Sequence, residues 1–173
     1  MKIINTNFKD LFVIQSKKHD DNRGYFRELY LEKNIKKKLN FIVASKSKKN
    51  VVRGLHFQIK KPQGKYVSVI KGQIFDVAVD CRTKSATFGK HFKIFLDDRD
   101  CKSIYIPQGF AHGFIALSEE ATVLYKTTDY YHPESEKTIK YDDPDLNIEW
   151  PIEAKTLSSK DLKGIPFKDL FIK

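Results

Sequence analysis

Cysteine is scarce in this chain, with Cys81 and Cys101 the only two in 173 residues. Their number and spacing exclude the disulfide framework of a small secreted scaffold and a thiolate metal site. Long apolar runs are missing too, so no segment reaches the roughly 20 residues a helix needs to cross a bilayer. Met1-Lys2-Ile3-Ile4-Asn5 passes into polar sequence without the apolar stretch of a signal peptide, which makes the cytoplasm the expected compartment. There is no GxGxxG or GKS/T loop, so a bound nucleotide would be held by side chains rather than by a glycine-rich phosphate cradle. Compact metal-ligand spacing is also lacking: neither His56 nor His112 has a second histidine or an acid close behind it, and no metal is expected.

What remains is the composition of one globular domain spanning 1–173, with 40% apolar and 31% charged residues. Lysine and arginine outnumber acids by ten. The excess is spread along the chain, with short clusters at Lys36-Lys37-Lys38, Lys46-Ser47-Lys48-Lys49 and Lys60-Lys61. An anionic small substrate accounts for this field better than a nucleic acid does.

Periodicity points to sheet. The stretch from Asn50 to Asp80 reads as two strands joined at Pro62-Gln63-Gly64, with a further turn at Lys71-Gly72. Lys17–Gly24 reads as a polar turn, Tyr25–Tyr30 as a strand or short helix, and Glu32–Lys38 as helical, with Ile35 and Leu39 on one face. Phe41–Ala44 is a short apolar segment before a lysine-rich bend. Further strands are expected at His91–Leu96, Ile104–Ile106, His112–Leu117 and Ala121–Asp129. Beyond Pro133 the chain is turn-rich, but Ile139, Tyr141, Leu146, Ile148 and Trp150 could cover a barrel, and Leu157–Leu162 could form a helical turn capped by Ser158 or Ser159. Many short strands at intervals of about ten residues, without a long amphipathic helix, predict an antiparallel barrel or sandwich.

Polar residues at strand centres carry the chemistry. Arg53, His56, Gln58 and Lys65 lie close together, and charged side chains are rarely buried without a partner. A pocket lined by one sheet face would bring them together, with His56 either a structural histidine or a neutral base oriented by a carboxylate. Tyr125, Tyr130 and Tyr131 cluster at a strand end, where packing competes with roles as general acid or stacking surface.

Several motifs, taken together, resemble one family. VRGLHFQ (52–58), PQGKYVSVIKGQIFDVAVDCR (62–82), TFGK (87–90), IYIPQGFAHGF (104–114) and LYKTTDYYHPESEKTIKYDDPDLNIEW (124–150) are similar, in order, to the dTDP-4-dehydrorhamnose 3,5-epimerases. The match extends from about Phe8 to Asp161. It implies an all-β, cupin-like jelly-roll barrel with short peripheral helices, no metal and no cofactor, and a homodimer with exchanged strands. The implied substrate is a nucleotide-diphosphate 4-keto-6-deoxy sugar, the implied partners include no nucleic acid and no membrane, and the setting is polysaccharide or capsule synthesis.

Carried over residue by residue, the resemblance makes His56 the base, Asp161 its orienting carboxylate and Tyr125 the acid on the opposite face. Lys65, helped by Arg53 and His112, would stabilise the enolate oxygen, because negative charge develops there once a proton leaves C3 or C5. Arg23, Glu28, Gln58 and Glu136 would contact the sugar or diphosphate, and Tyr131 would stack on the base. One departure bears on substrate: Phe41-Ile42-Val43-Ala44-Ser45-Lys46-Ser47 replaces a polar QDN-like segment followed by serines, and Asn50 stands where glycine is usual. The alternatives are a GDP-linked 4-keto-6-deoxy heptose substrate, inversion at C3 alone, a 3,4-ketoisomerase of the same fold, or a non-catalytic sugar-nucleotide-binding module.

Overall fold

A computed structural model describes residues 1–171. One sheet has six strands in the spatial order β1 (Lys2–Asn5), β2 (Phe12–Gln15), β10 (Lys102–Ile106), β7 (Lys65–Lys71), β12 (Glu120–Thr127) and β5 (Phe41–Lys48). The other has five, in the order β13 (Glu136–Thr138), β6 (Val52–Gln58), β11 (Phe110–Ala116), β8 (Gln73–Asp80) and β9 (His91–Asp97). All these neighbours run antiparallel. A separate hairpin pairs β3 (Lys18–Asp21) with β4 (Gly24–Arg27).

The sheets face each other across one apolar layer. Val67, Val69, Ile104, Ile106 and Val123 come from the six-stranded sheet and meet Ile74, Ala78, Leu96 and Phe114 from the five-stranded one. A second apolar layer lies outside the five-stranded sheet, where Leu146, Phe167 and Trp150 of the C-terminal segment pack on Phe75, Val77 and Ile115. Burial on both faces explains why β8 and β11 read as continuous apolar runs rather than alternating ones. The turn-rich tail does cover the barrel, through the residues its sequence singles out.

Four local expectations change. The two strands expected on either side of Pro62-Gln63-Gly64 do not form a hairpin: β6 belongs to the five-stranded sheet and β7 to the six-stranded one. The chain crosses back at Gly72 (φ 79°), where a Cβ would stand 2.1 Å from the Glu120 carbonyl oxygen, so only glycine fits that corner. Lys17–Gly24 is mostly strand, because β3 pairs with β4, and this also settles Tyr25–Arg27 as strand. The helix expected over Glu32–Lys38 is a single turn, α1 (Glu32–Ile35), ended by Lys36 in the left-handed conformation. Phe41–Ala44 and the lysine-rich bend after it form one continuous strand, β5, held along its length by β12.

Candidate active site

The register of β6 against β11 places His56 directly opposite His112. The strands approach closely beside this pair: a Cβ on Gly54 would lie 2.5 Å from the Gly113 Cα. His56 Nε2 is 2.6 Å from Asp161 Oδ1. A carboxylate can only accept, so Nε2 carries a proton and, in the neutral ring, Nδ1 keeps its lone pair. Asp161 lies in the single-turn helix α2 (Ser159–Leu162), and its backbone N–H donates to the Oγ of the capping residue Ser158 at 3.1 Å. The cap therefore fixes the carboxylate that orients the imidazole. Burial, the largest single effect, pushes the Asp161 carboxyl upward, but the hydrogen bond and charge of His56, the Ser158 hydrogen bond and the Lys160 charge together leave the group below its ordinary range.

His112 Nε2 in turn meets Asp76 Oδ2 at 2.8 Å, and Asp76 is fully buried. Burial lowers the His112 pKa; Asp76 acts against this, while the Lys65 and His56 charges add to it. Lys65 opens β7 on the facing sheet. Burial brings its ammonium down to about 8, although Glu136 and Asp76 favour the charged form. Tyr125 also comes from the facing sheet, its ring edge-on to His112 at 6.2 Å and its hydroxyl 3.1 Å from Ser45 Oγ. Burial holds this phenol well above its ordinary value.

A cleft of about 500 Å³ opens beside this layer, lined by Lys46, Arg53, His56, Thr156, Lys160 and Asp161. Arg53 is fixed at its wall, donating from Nε to Ser47 Oγ at 2.9 Å and from Nη2 to the Lys46 carbonyl at 3.0 Å. Glu136 Oε1 lies 4.0 Å from His56 Nδ1, and Lys160 forms an ion pair with the Glu136 carboxylate. The Tyr131 hydroxyl donates to Glu136 Oε2 at 2.8 Å while its ring stays on the exposed rim. The cationic mouth suits a substrate with phosphates.

The structure thus brings His56, Asp161, Lys65, His112, Tyr125, Arg53 and Glu136 together, with Tyr131 on the rim. Gln58 lines a small cavity with His56, Lys65 and Glu136, and its amide is held there by donating from Nε2 to the Lys61 carbonyl and accepting at Oε1 from the His132 N–H. Arg23 and Glu28 are not in this cluster. Both are exposed, and Arg23 pairs with Asp21 at 2.6 Å in the β3–β4 turn. Asp76, Ser45 and Lys160 are site residues that sequence reasoning missed. Asp76 had a signal, a lone acid inside the apolar run of β8, but Asp80 on the same strand gives the same signal and serves only to staple Arg82, Ser85 and Thr87.

The family model described as dTDP-4-dehydrorhamnose 3,5-epimerase matches residues 5–169. The dTDP-4-dehydrorhamnose 3,5-epimerase of Methanothermobacter thermautotrophicus is 43% identical over 176 residues, covering 97% of this chain and 95% of the relative. The crystal structure of dTDP-6-deoxy-D-glucose-3,5-epimerase from Legionella pneumophila, in complex with dTDP-4-keto-L-rhamnose, superposes with a TM-score of 0.93 at 43% identity, covering 99% of this chain and 94% of that one. A 3'-monoepimerase from Streptomyces bikiniensis, in complex with dTDP-quinovose, shares the fold at a TM-score of 0.90 and 25% identity, covering 95% and 87% of the two chains. With a family match over residues 5–169 and relatives above 40% identity, the chain belongs to the dTDP-4-dehydrorhamnose 3,5-epimerase family.

Proposed function

We propose that this chain inverts C3 and C5 of a dTDP-linked 4-keto-6-deoxy hexose, without a cofactor, using His56 as base and Tyr125 as acid. The observation that carries the roles is their placement on facing sheets: His56 on the five-stranded one, Tyr125 on the six-stranded one, both against His112. A base and an acid on opposite sides of one sugar ring are what inversion requires, since the proton must return to the face it did not leave.

The C4 ketone acidifies both neighbouring C–H bonds. His56 Nδ1 removes a proton, and the electron pair moves to the ketone oxygen as an enolate. Lys65, charged below about pH 8, stabilises that oxygen. The enolate carbon then takes the Tyr125 proton on the far face. Asp161 stabilises the imidazolium through its hydrogen bond to Nε2.

The placement of Arg23 and Glu28 supports a homodimer in which the β3–β4 hairpin of one copy reaches the cleft of the other. That hairpin exposes Tyr25 and Phe26, the latter by 68%, and the edge strand β1 exposes Ile3 and Ile4. An exposed apolar edge of this kind is a template for pairing with a second chain. Light scattering on the purified protein should give twice the chain mass.

A second reading, a different sugar or inversion at C3 alone, draws on β5. Val43 stands directly opposite Tyr125, and Phe41 packs against Tyr130 with ring centroids 5.6 Å apart, so this wall of the site offers the substrate little hydrogen bonding. Proton NMR in deuterium oxide, with dTDP- and GDP-linked 4-keto-6-deoxy hexose and heptose, decides between them. Deuterium entering at both C3 and C5 of the dTDP-hexose is the expected result; entry at C3 alone, or only with the GDP-heptose, supports the second reading. No exchange with any of these substrates by folded protein refutes catalysis.

A further inference from the structure

A phenol that gives its proton to carbon must regain it before the next inversion. Among the described residues, the one hydrogen-bond partner of the Tyr125 hydroxyl is Ser45 Oγ. The two sit diagonally across the β5–β12 pair, since Val43 is directly opposite Tyr125 and Ser45 is opposite Val123. A long side chain spans that diagonal. Of the other neighbours, Val43 and Val123 are apolar, His112 commits its Nε2 to Asp76, and Asp76 and Arg53 act on the phenol through their charge without a hydrogen bond to it. Ser47, two residues along on the same face of β5, is buried and accepts from Arg53. Ser45 is only half-buried, on the edge strand of the sheet.

We propose that Ser45 is a positioning residue for Tyr125 that returns its proton after each inversion. The proposal rests on the epimerase reading above. As the new C–H bond forms, the Tyr125 O–H bond breaks and its electron pair stays on the phenolate oxygen. The Ser45 hydroxyl then gives its proton to that oxygen and takes one from water at the cleft. The hydroxide left behind is neutralised by the proton that the His56 imidazolium releases, so each inversion ends with both groups in their starting states. Burial makes the phenolate a strong base, and the Ser45 hydrogen bond works in the opposite direction by stabilising it. Both effects suit a group that is recharged through a neighbouring hydroxyl. Reaction at two carbons doubles the demand for recharging.

The test compares wild type, Ser45→Ala and Ser45→Thr by rapid quench in deuterium oxide with dTDP-4-keto-6-deoxyglucose, after thermal melts show that all three are folded. Ser45→Ala is expected to complete about one inversion per site near the wild-type rate and then to slow about tenfold in steady state. Its solvent isotope effect should rise, and Ser45→Thr, which keeps the hydroxyl, should restore turnover. A Ser45→Ala enzyme with wild-type steady-state turnover and no burst would overturn the proposal. So would equal loss of the first and later inversions with the isotope effect unchanged. An inert wild type overturns the parent reading instead, which separates the two failures.

Discussion

The histidine layer and the β3–β4 hairpin are built on opposite plans. His56, His112 and Tyr125 stand on strands with neighbours on both sides, and each of the three has a fixed partner, Asp161, Asp76 or Ser45. The hairpin is two strands long, outside both main sheets, and exposed along most of its length. Its anchor is Arg27, whose guanidinium donates to the Val69 and Lys102 carbonyls and to Ser68 and Ser103 on the outer face of the six-stranded sheet. The histidine layer is thus preorganised within one chain, whereas the hairpin is anchored at its base and holds Phe26 and the Arg23–Asp21 ion pair out toward solvent. Chemistry needs positions held to a fraction of an ångström; contact with a substrate's periphery does not.

The sharpest way to break this comparison is to remove the base. His56→Asn should lower turnover by about 10²–10⁴-fold while leaving thermal stability and substrate affinity nearly unchanged, measured by NMR assay, melting and calorimetry. Asp161→Asn should follow at about 10²-fold, because the neutral amide no longer stabilises the imidazolium. A variant that instead unfolds would show that the pair holds the barrel together.

Lys65 gives an effect at least as large as Asp161, and its sign is fixed. Its pKa is lowered to about 8, so the ammonium proposed to stabilise the enolate is present below that pH and is lost as pH rises through it. The ratio kcat/KM, which reports the free enzyme, should therefore fall on the alkaline side with a midpoint near 8. Lys65→Met should abolish that limb and cost about 10²–10³-fold at neutral pH.

The hairpin should behave in the opposite way. Arg23→Ala is expected to raise KM about tenfold with kcat little changed, because a charge-assisted phosphate contact is lost without touching the reacting carbons. Mixing inactive His56→Asn dimers with Arg23→Ala dimers should regenerate sites whose cleft and hairpin are both wild type. Recovery of wild-type KM in that fraction would place the hairpin across the dimer; a KM fixed at the Arg23→Ala value would keep it within its own chain. Phe26→Ala, the smallest effect, should weaken dimerisation without altering the pH profile.

How much of this was legible follows the same division. Strand periodicity and turn chemistry are local, so the β-rich class, the corner at Gly72 and the cap at Ser158 could be read from the sequence. His56, Tyr125 and Lys65 stood out through motifs, and the structure places them in one cluster. Which sheet a strand joins depends on distant partners, and this is why β6 and β7 looked like a hairpin yet lie in different sheets. Asp76 and Ser45 were hidden for a related reason. An acid in an apolar strand and a serine in a lysine-rich one gain their roles only when β11 and β12 arrive more than 30 residues later. Gln58 is a related case: it lines a cavity with His56 and Lys65, but its amide is held by the Lys61 carbonyl and the distant His132 N–H, the second of which no local pattern shows.

The central claim is that base and acid act from opposite faces, and Tyr125→Phe in deuterium oxide tests it most directly. With His56 intact and the acid removed, deuterium should still enter C3 of dTDP-4-keto-6-deoxyglucose while inversion stops, because the proton is removed and returned on the same face. Inversion at the wild-type rate in Tyr125→Phe would contradict the account.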